Sequence, residues 1–342
     1  MRFTRTARTI RAAAIVAASL AVVATSALSA QADPGFTPDA DDVVLVGSDT
    51  TQFLWNDLSN LYNGRTPTPT RRLASWDATP QPSTITPRAG AAAIARPDGS
   101  TKGIQELCKT GTTVDSARSS SGPATPAICA DLKYLKYAED HLRWMANSGV
   151  TGVTQLTDAQ LNGIYQCKAG FRDWHDINPA IPVGSTIVPL IPQTGSGTRK
   201  EWAARVGITD PNVLPACVTD QSNTVQEHDP TPVKNTAFSI APVSEGRYNL
   251  LTAAQKTGTF LGTIPTAEQT KYNRNLYQVV KAPGGVVPAY LSALFGDGTG
   301  FTSTGTIPFV CEQADPSTAA KEAGEVIAAN GFFQLAVGTC GT

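Results

Sequence analysis

The feature that most restricts the fold is a strand that passes through a small polar turn directly into a helix. Val43-Val44-Leu45-Val46 is a continuous apolar run, the pattern of a strand buried on both faces, and Gly47-Ser48-Asp49-Thr50-Thr51 follows as a turn. Leu54, Leu58 and Leu61 then recur at helical spacing until Asn63-Gly64 stops the helix. The arrangement returns twice. Ala91–Ala95 leads through Arg96-Pro97-Asp98-Gly99-Ser100-Thr101 into Ile104, Leu107 and Cys108, and Ile187–Ile191 leads through Pro192-Gln193-Thr194-Gly195-Ser196-Gly197-Thr198 into Trp202 and Val206. Strands alternating with helices predict an α/β architecture of crossover units. A helix start leaves backbone N–H groups unpaired and carries about half a positive charge, so such turns bind an anion where they converge. Taken singly, each Ser or Thr is accounted for as a helix cap.

Residues 1–32 read as a secretory signal. Arg2, Arg5, Arg8 and Arg11 precede an apolar stretch from Ala12 to about Val23, and Ala30-Gln31-Ala32 offers a small-residue cleavage site, which puts the start of the exported chain at Asp33. The apolar stretch is shorter than the about 20 residues that a membrane span needs. No Cys stands near the cleavage point to take a lipid, so the expected location is secreted or extracytoplasmic, with no transmembrane helix in the mature chain. The four Arg also mask the charge of the rest. The formal net charge is −1, but beyond residue 32 the chain has 23 basic against 28 acidic side chains. That balance excludes nucleic acid as a partner and requires any anion site to be local.

Export gives the six cysteines their meaning. An even number in an oxidising compartment reads as disulfides with fifteen possible connectivities; adjacent pairing, Cys108 to Cys129, Cys167 to Cys217 and Cys311 to Cys340, keeps each loop local and is preferred. With three His and neither a Cys-x-x-Cys nor a His-Glu-x-x-His, no metal or other cofactor is expected. Scaffold signals are plain elsewhere. Thr157-Asp158-Ala159-Gln160 is a capping box ahead of Leu161 and Ile164-Tyr165, with Trp174 closing that unit. Ser317–Ala329 reads as a helix stopped by Asn330-Gly331, and the Thr-, Pro- and Ser-dense Arg65–Pro87 as a long surface loop.

In order and spacing, Gly47-Ser48-Asp49-Thr50-Thr51, Gly99-Ser100-Thr101-Lys102-Gly103-Ile104, Val114-Asp115-Ser116-Ala117-Arg118-Ser119-Ser120, the Leu156–Tyr165 stretch with Trp174, and Gly195-Ser196-Gly197-Thr198 form one pattern. It resembles that of the phosphate-binding, substrate-binding proteins of ABC transporters, which have the type II periplasmic-binding-protein fold. The resemblance implies a two-lobed α/β fold, each lobe a mixed sheet flanked by helices with the ligand in the cleft between them. Lobe one would be 43–137 plus 277–342 and lobe two 138–276. It also implies capture of inorganic phosphate or a related oxyanion, an ABC permease as partner, a monomer, and no catalysis. The ligand set carried over is Thr50 and Thr51, Ser100 and Thr101, Ser119 and Ser120, and Ser196, Gly197 and Thr198.

The chain departs from the family pattern twice. Family members commonly have an acidic residue where this chain has Ser120, and an Arg shortly before the Gly-Ser-Gly-Thr, where this chain reads Ile191-Pro192-Gln193-Thr194. Arg118 is therefore expected to supply the cation, and Asp49 or Asp229 to accept the proton of phosphate. The segment Gln226-Glu227-His228-Asp229-Pro230 permits a rival reading, a secreted hydrolase with Ser196 as nucleophile, His228 as base and Asp229 as orienting residue. A third is a secreted binding or adhesion protein on the same fold that serves no transport.

Overall fold

A computed structural model describes residues 33–79, 83–300, 306–315, 317 and 321–342. The signal segment 1–32 and part of the expected Ser317–Ala329 helix lie outside them; the described residues start that helix only at Ala323, because Glu322 is extended and caps it together with Glu325. The strands are β1 (Val43–Gly47), β2 (Leu73–Ser75), β3 (Thr84–Ile85), β4 (Ile94–Ala95), β5 (Ser116–Ser119), β6 (Leu132–Asn147), β7 (Val188–Pro189), β8 (Ser239–Ser244), β9 (Thr259–Gly262), β10 (Asn273–Lys281) and β11 (Phe333–Gln334). The helices that bear on the site are α1 (Gln52–Asn63), α2 (Ser100–Leu107), α3 (Asp158–Tyr165), α4 (Trp174–Ile177), α5 (Gly197–Arg205), α6 (Thr231–Asn235) and α7 (Glu245–Leu250). Among the described residues no helix is long and apolar enough to cross a membrane.

A mixed sheet runs in the order β2-β1-β5-β10-β6-β8-β7, with β9 and β11 also paired to β6. β1 lies parallel to both β2 and β5, which fits its uninterrupted apolar run, since a strand with neighbours on both sides and helices over it has no solvent face. β10 and β6 are long and antiparallel, and β6 serves two cores. From β6, Leu135, Tyr137 and Ala138 pack with Leu45, Trp55, Leu276 and Phe295; Leu142, Trp144 and Ala146 pack with Leu161, Trp174, Trp202 and Ile240. The boundaries expected at 137/138 and 276/277 fall inside this strand pair, next to a register shift at Leu276/Tyr277.

Several local expectations hold. Helix α1 ends at Asn63 with Gly64 as its cap, Thr157 and Gln160 close the capping box on α3, and Trp174 is buried. The three disulfides are Cys108–Cys129, Cys167–Cys217 and Cys311–Cys340. Others are corrected. The supposed loop Arg65–Pro87 contains β2, whose Leu73, Ala74 and Ser75 pair with Val43, Val44 and Leu45 of β1. Three residues are too few to show a period, and their burial comes from β1 and α1. The second supposed core strand, Ala91–Ala95, supplies only β4, which forms a two-stranded hairpin with β3 away from the main sheet. Of Ile187–Ile191, only Val188–Pro189 is a strand, parallel to β8.

Candidate functional site

Four turns converge at the C-terminal ends of the strands. After β1, Asp49 Oδ1 accepts from the Thr50 N–H at 3.1 Å, and the Thr51 carbonyl accepts from Trp55 N at 3.0 Å as α1 begins. Gly99 ahead of α2 has φ +108°, and a Cβ there would stand 2.6 Å from the Gly195 carbonyl oxygen. That glycine lets the second turn touch the turn before α5, where Thr101 N donates to the same carbonyl at 3.0 Å. Ser100 Oγ accepts from the backbone N–H of Ser120, just past β5, at 3.0 Å and lies 3.3 Å from Ser120 Oγ. Gly197 is pressed against both hydroxyls, for a Cβ on it would meet Ser120 Oγ at 2.3 Å and Ser100 Oγ at 2.5 Å. Thr50 Oγ1 closes the ring, 3.4 Å from Ser120 Oγ and 3.5 Å from Thr198 Oγ1.

The centre of this cradle is taken by a carboxylate. Glu227 Oε1 accepts from Ser196 Oγ and from Thr198 N (3.2 Å), and Oε2 accepts from Thr50 Oγ1 and Thr198 Oγ1 (2.7 Å). Behind the hydroxyls stands Arg274 of β10, which donates to Thr198 Oγ1 at 2.7 Å and to Thr50 Oγ1 at 3.4 Å and is fixed by Asp140 of β6 at 2.7 Å. Asp140 in turn accepts from Ser244 Oγ at 2.6 Å. The cation thus acts through two hydroxyls, each accepting from Arg274 and donating onward to the anion, a charge-assisted relay. Burial by itself would raise the Glu227 pKa; the charge of Arg274 and the hydrogen bonds from Ser196, Thr50 and Thr198 outweigh it and hold the carboxyl below its ordinary range.

Asp49 beside it behaves oppositely. Burial, then the charges of Glu227 and Asp98, hold its pKa well above the usual carboxylate value, the opposite direction from Glu227. Gln193, in the segment where the family pattern has its Arg, donates to Asp98 at 3.1 Å and to Asp49 at 3.4 Å. His228 Nδ1 lies 3.9 Å from Asp49 Oδ2, and the imidazole pKa is driven down to about 4 by burial and by the charge of Arg247. Arg247 covers the Phe53 ring at 4.5 Å, and Phe53 meets the His228 ring edge-on at 6.1 Å. A cavity of about 540 Å³ lined by Thr101, Gly195, Ser196 and Lys200 opens beside the α5 turn.

The fold therefore brings Thr50, Ser100, Ser120, Ser196, Gly197 and Thr198 together, with Asp49 and Thr51 alongside. The other expected ligands are placed elsewhere. Arg118 points away: its guanidinium donates to the carbonyls of Ser48 (3.3 Å), Leu45 (3.4 Å) and Trp76 (2.6 Å) and to Ser75 Oγ (2.8 Å), so its N–H groups are already engaged. Ser119 Oγ donates to the Ser121 carbonyl in its own turn, Thr101 faces the rim cavity, and Asp229 accepts from Thr231 N at 2.8 Å at the start of α6. The hydrolase arrangement is not assembled either, because Ser196 donates to Glu227 and Asp229 is held by Thr231.

Two residues the sequence reading passed over dominate the site. Arg274 carried a signal, since it shares the alternating buried face of β10 with Leu276 and Gln278, where an Arg needs a partner. Glu227 stands in Gln226-Glu227-His228-Asp229-Pro230, where His228 and Asp229 carry the more conspicuous catalytic pattern.

No family model matches the sequence, and comparison with curated proteins finds no match. The fold is nevertheless shared with a solved structure. A putative phosphate ABC transporter substrate-binding protein from Clostridium perfringens, solved with bound phosphate, aligns with TM-score 0.56 at 13% identity, over 86% of this chain and all of that one. An ABC-type phosphate transport receptor from Vibrio cholerae aligns at TM-score 0.47 and 19% identity, over 70% of this chain and 87% of the other.

Proposed function

We propose that this protein is an extracytoplasmic solute-binding protein that captures inorganic phosphate or a related oxyanion for ABC-type uptake, acting as a monomer and without catalysis. One observation carries the reading. Hydroxyls of Thr50, Ser196 and Thr198 and the Thr198 N–H converge on a carboxylate, with Ser100 and Ser120 beside them and Arg274 behind, and these are the donors that an oxyanion needs. The shared fold of the phosphate-holding Clostridium perfringens structure supports the choice of ligand class. Export is supported by the sequence of residues 1–32 and by the three disulfides. The two lobes, 43–137 plus 277–342 and 138–276, would hinge where β6 passes from one core to the other.

Asp49 is the expected acceptor that the fold leaves at the cradle. A charged Asp49 accepts the proton of phosphate and repels sulfate, whereas a protonated one donates to either. Calorimetric titration with phosphate and sulfate tests the reading: phosphate binds at or below millimolar concentration and more tightly than sulfate, and Asp49→Asn narrows that preference more than it lowers total anion affinity. Failure of both anions to bind in any variant that retains the cradle overturns the reading.

A further inference from the structure

The groups assigned above to a free oxyanion are already engaged with Glu227. Its two oxygens take four donors, namely Ser196 Oγ, Thr198 N, Thr198 Oγ1 and Thr50 Oγ1. Resting on the oxyanion reading, we propose that Glu227 is a built-in carboxylate occupant of the cradle, which a free oxyanion must displace in order to bind, so that this one side chain sets the affinity of the site.

Geometry explains how displacement is achieved. A carboxylate has two oxygens in a plane and leaves the Ser100 and Ser120 hydroxyls facing each other at 3.3 Å. A tetrahedral oxyanion has four oxygens and reaches those hydroxyls as well as the donors that Glu227 uses. It gains hydrogen bonds that the tethered group cannot make, and that surplus drives the exchange. The tether itself needs little rearrangement. Val225 is buried with Leu190, Val233 and Val243, and its carbonyl accepts from Gln193 N at 2.8 Å; Pro230 caps the start of α6. Only residues 226–229 lie between these anchors, so Glu227 can leave while both ends of its segment stay in place. Arg274 keeps its partner Asp140 after the exchange, and the buried cation is never left alone.

The intramolecular carboxylate competes at an effective concentration fixed by its tether, and the apparent dissociation constant of the free anion is its intrinsic value divided by the fraction of cradles that Glu227 has left. Removing it should raise affinity. Glu227→Ala abolishes the occupant, and Glu227→Gln places an amide N–H₂ where the partners are all donors, so it does not refill the cradle.

The experiment is calorimetric titration of the mature wild-type protein, Glu227→Ala and Glu227→Gln with inorganic phosphate, repeated for each in the presence of acetate, with circular dichroism and thermal melting to show that each variant is folded. Both variants should bind phosphate about 10–100-fold more tightly than wild type. Acetate should compete with phosphate in Glu227→Ala, where a free carboxylate can take the vacated position, and far less in wild type. Equal phosphate affinity in wild type and folded variants overturns the proposal, and so does weaker binding in the variants, which would make Glu227 a ligand for the anion. Glu227→Ala that binds acetate but no phosphate keeps the occupant role and overturns the phosphate reading. A folded Glu227→Ala that binds neither anion overturns both.

Discussion

Two arginines on neighbouring strands, Arg118 of β5 and Arg274 of β10, are both buried, yet their surroundings differ in kind. Arg118 is solvated by backbone: the carbonyls of Leu45, Ser48 and Trp76 and the hydroxyl of Ser75 surround it, and burial lowers its pKa to about 10. Arg274 has a carboxylate on one side and two hydroxyls on the other. A guanidinium whose donors end mainly on fixed carbonyls, as those of Arg118 do on Leu45, Ser48 and Trp76, ties loops to a sheet. One whose donors end on hydroxyls passes its charge on, because a hydroxyl that accepts can also donate. Burial alone therefore does not identify an anion-binding arginine; what its partners can do next identifies it.

The largest effect expected from breaking this contrast is on stability. Arg118→Met leaves three carbonyls and a hydroxyl short of a buried donor and should cost about 3–5 kcal/mol in urea unfolding. Phosphate affinity of the molecules that remain folded should be nearly unchanged. A variant that loses phosphate binding while keeping its stability would assign Arg118 to the ligand after all.

Arg274 should reverse that pattern. The double variant Arg274→Met/Asp140→Asn removes the Arg274–Asp140 pair whole, and Glu227 loses the cation behind its donors. The variant should bind phosphate about 100-fold more weakly, close to 3 kcal/mol. Calorimetry that finds wild-type affinity would show that the hydroxyls need no cation behind them.

Titration separates the two neighbourhoods by sign. His228, near the cradle, has its folded pKa depressed from 6.5 to about 4, so the unfolded chain takes up a proton first as pH falls, and this region loses stability between about pH 6.5 and pH 4, by up to about 3 kcal/mol. Asp77, near Arg118, has its folded pKa raised from 3.8 to about 7 by burial, so the unfolded chain loses its proton first as pH rises, and stability declines from about pH 4 to pH 7. The two windows overlap with opposite sign and offset each other in wild type, so unfolding free energy should fall with rising pH across about pH 4–7 in His228→Asn and rise across about pH 4–6.5 in Asp77→Asn. Identical profiles in both variants and wild type would remove the distinction.

The smallest effect concerns the relay itself. Ser196→Ala/Thr198→Ala should weaken phosphate binding by about 1–3 kcal/mol, the scale of hydrogen bonds to a charged group, with the Thr198 N–H still in place. A loss larger than that of the Arg274 variant would show that Thr50 cannot carry the cation's effect once Thr198 Oγ1 is gone.

What the amino-acid sequence determined by itself is local. The Val43–Val46 run, the Thr157–Gln160 capping box, the stop at Asn63-Gly64 and the Ser196 cap depend on contacts within a few residues, and the three adjacent disulfides close loops that were legible from spacing and export. The turns that supply Thr50, Ser100 and Ser196 were legible for the same reason, since a strand-to-helix turn advertises its donors in glycine and hydroxyl residues. Only the tertiary structure decided which charges face those donors. Arg118 and Arg274 are both arginines on buried strand faces, and Glu227 is one carboxylate in Gln226-Glu227-His228-Asp229. Whether each meets a carbonyl, a hydroxyl or water depends on the pairing of β5 with β10 and of β10 with β6 across more than a hundred residues of chain. Charge interactions reach across space without a sequence period to mark them, and desolvation, which sets their strength, exists only once the chain has folded around them.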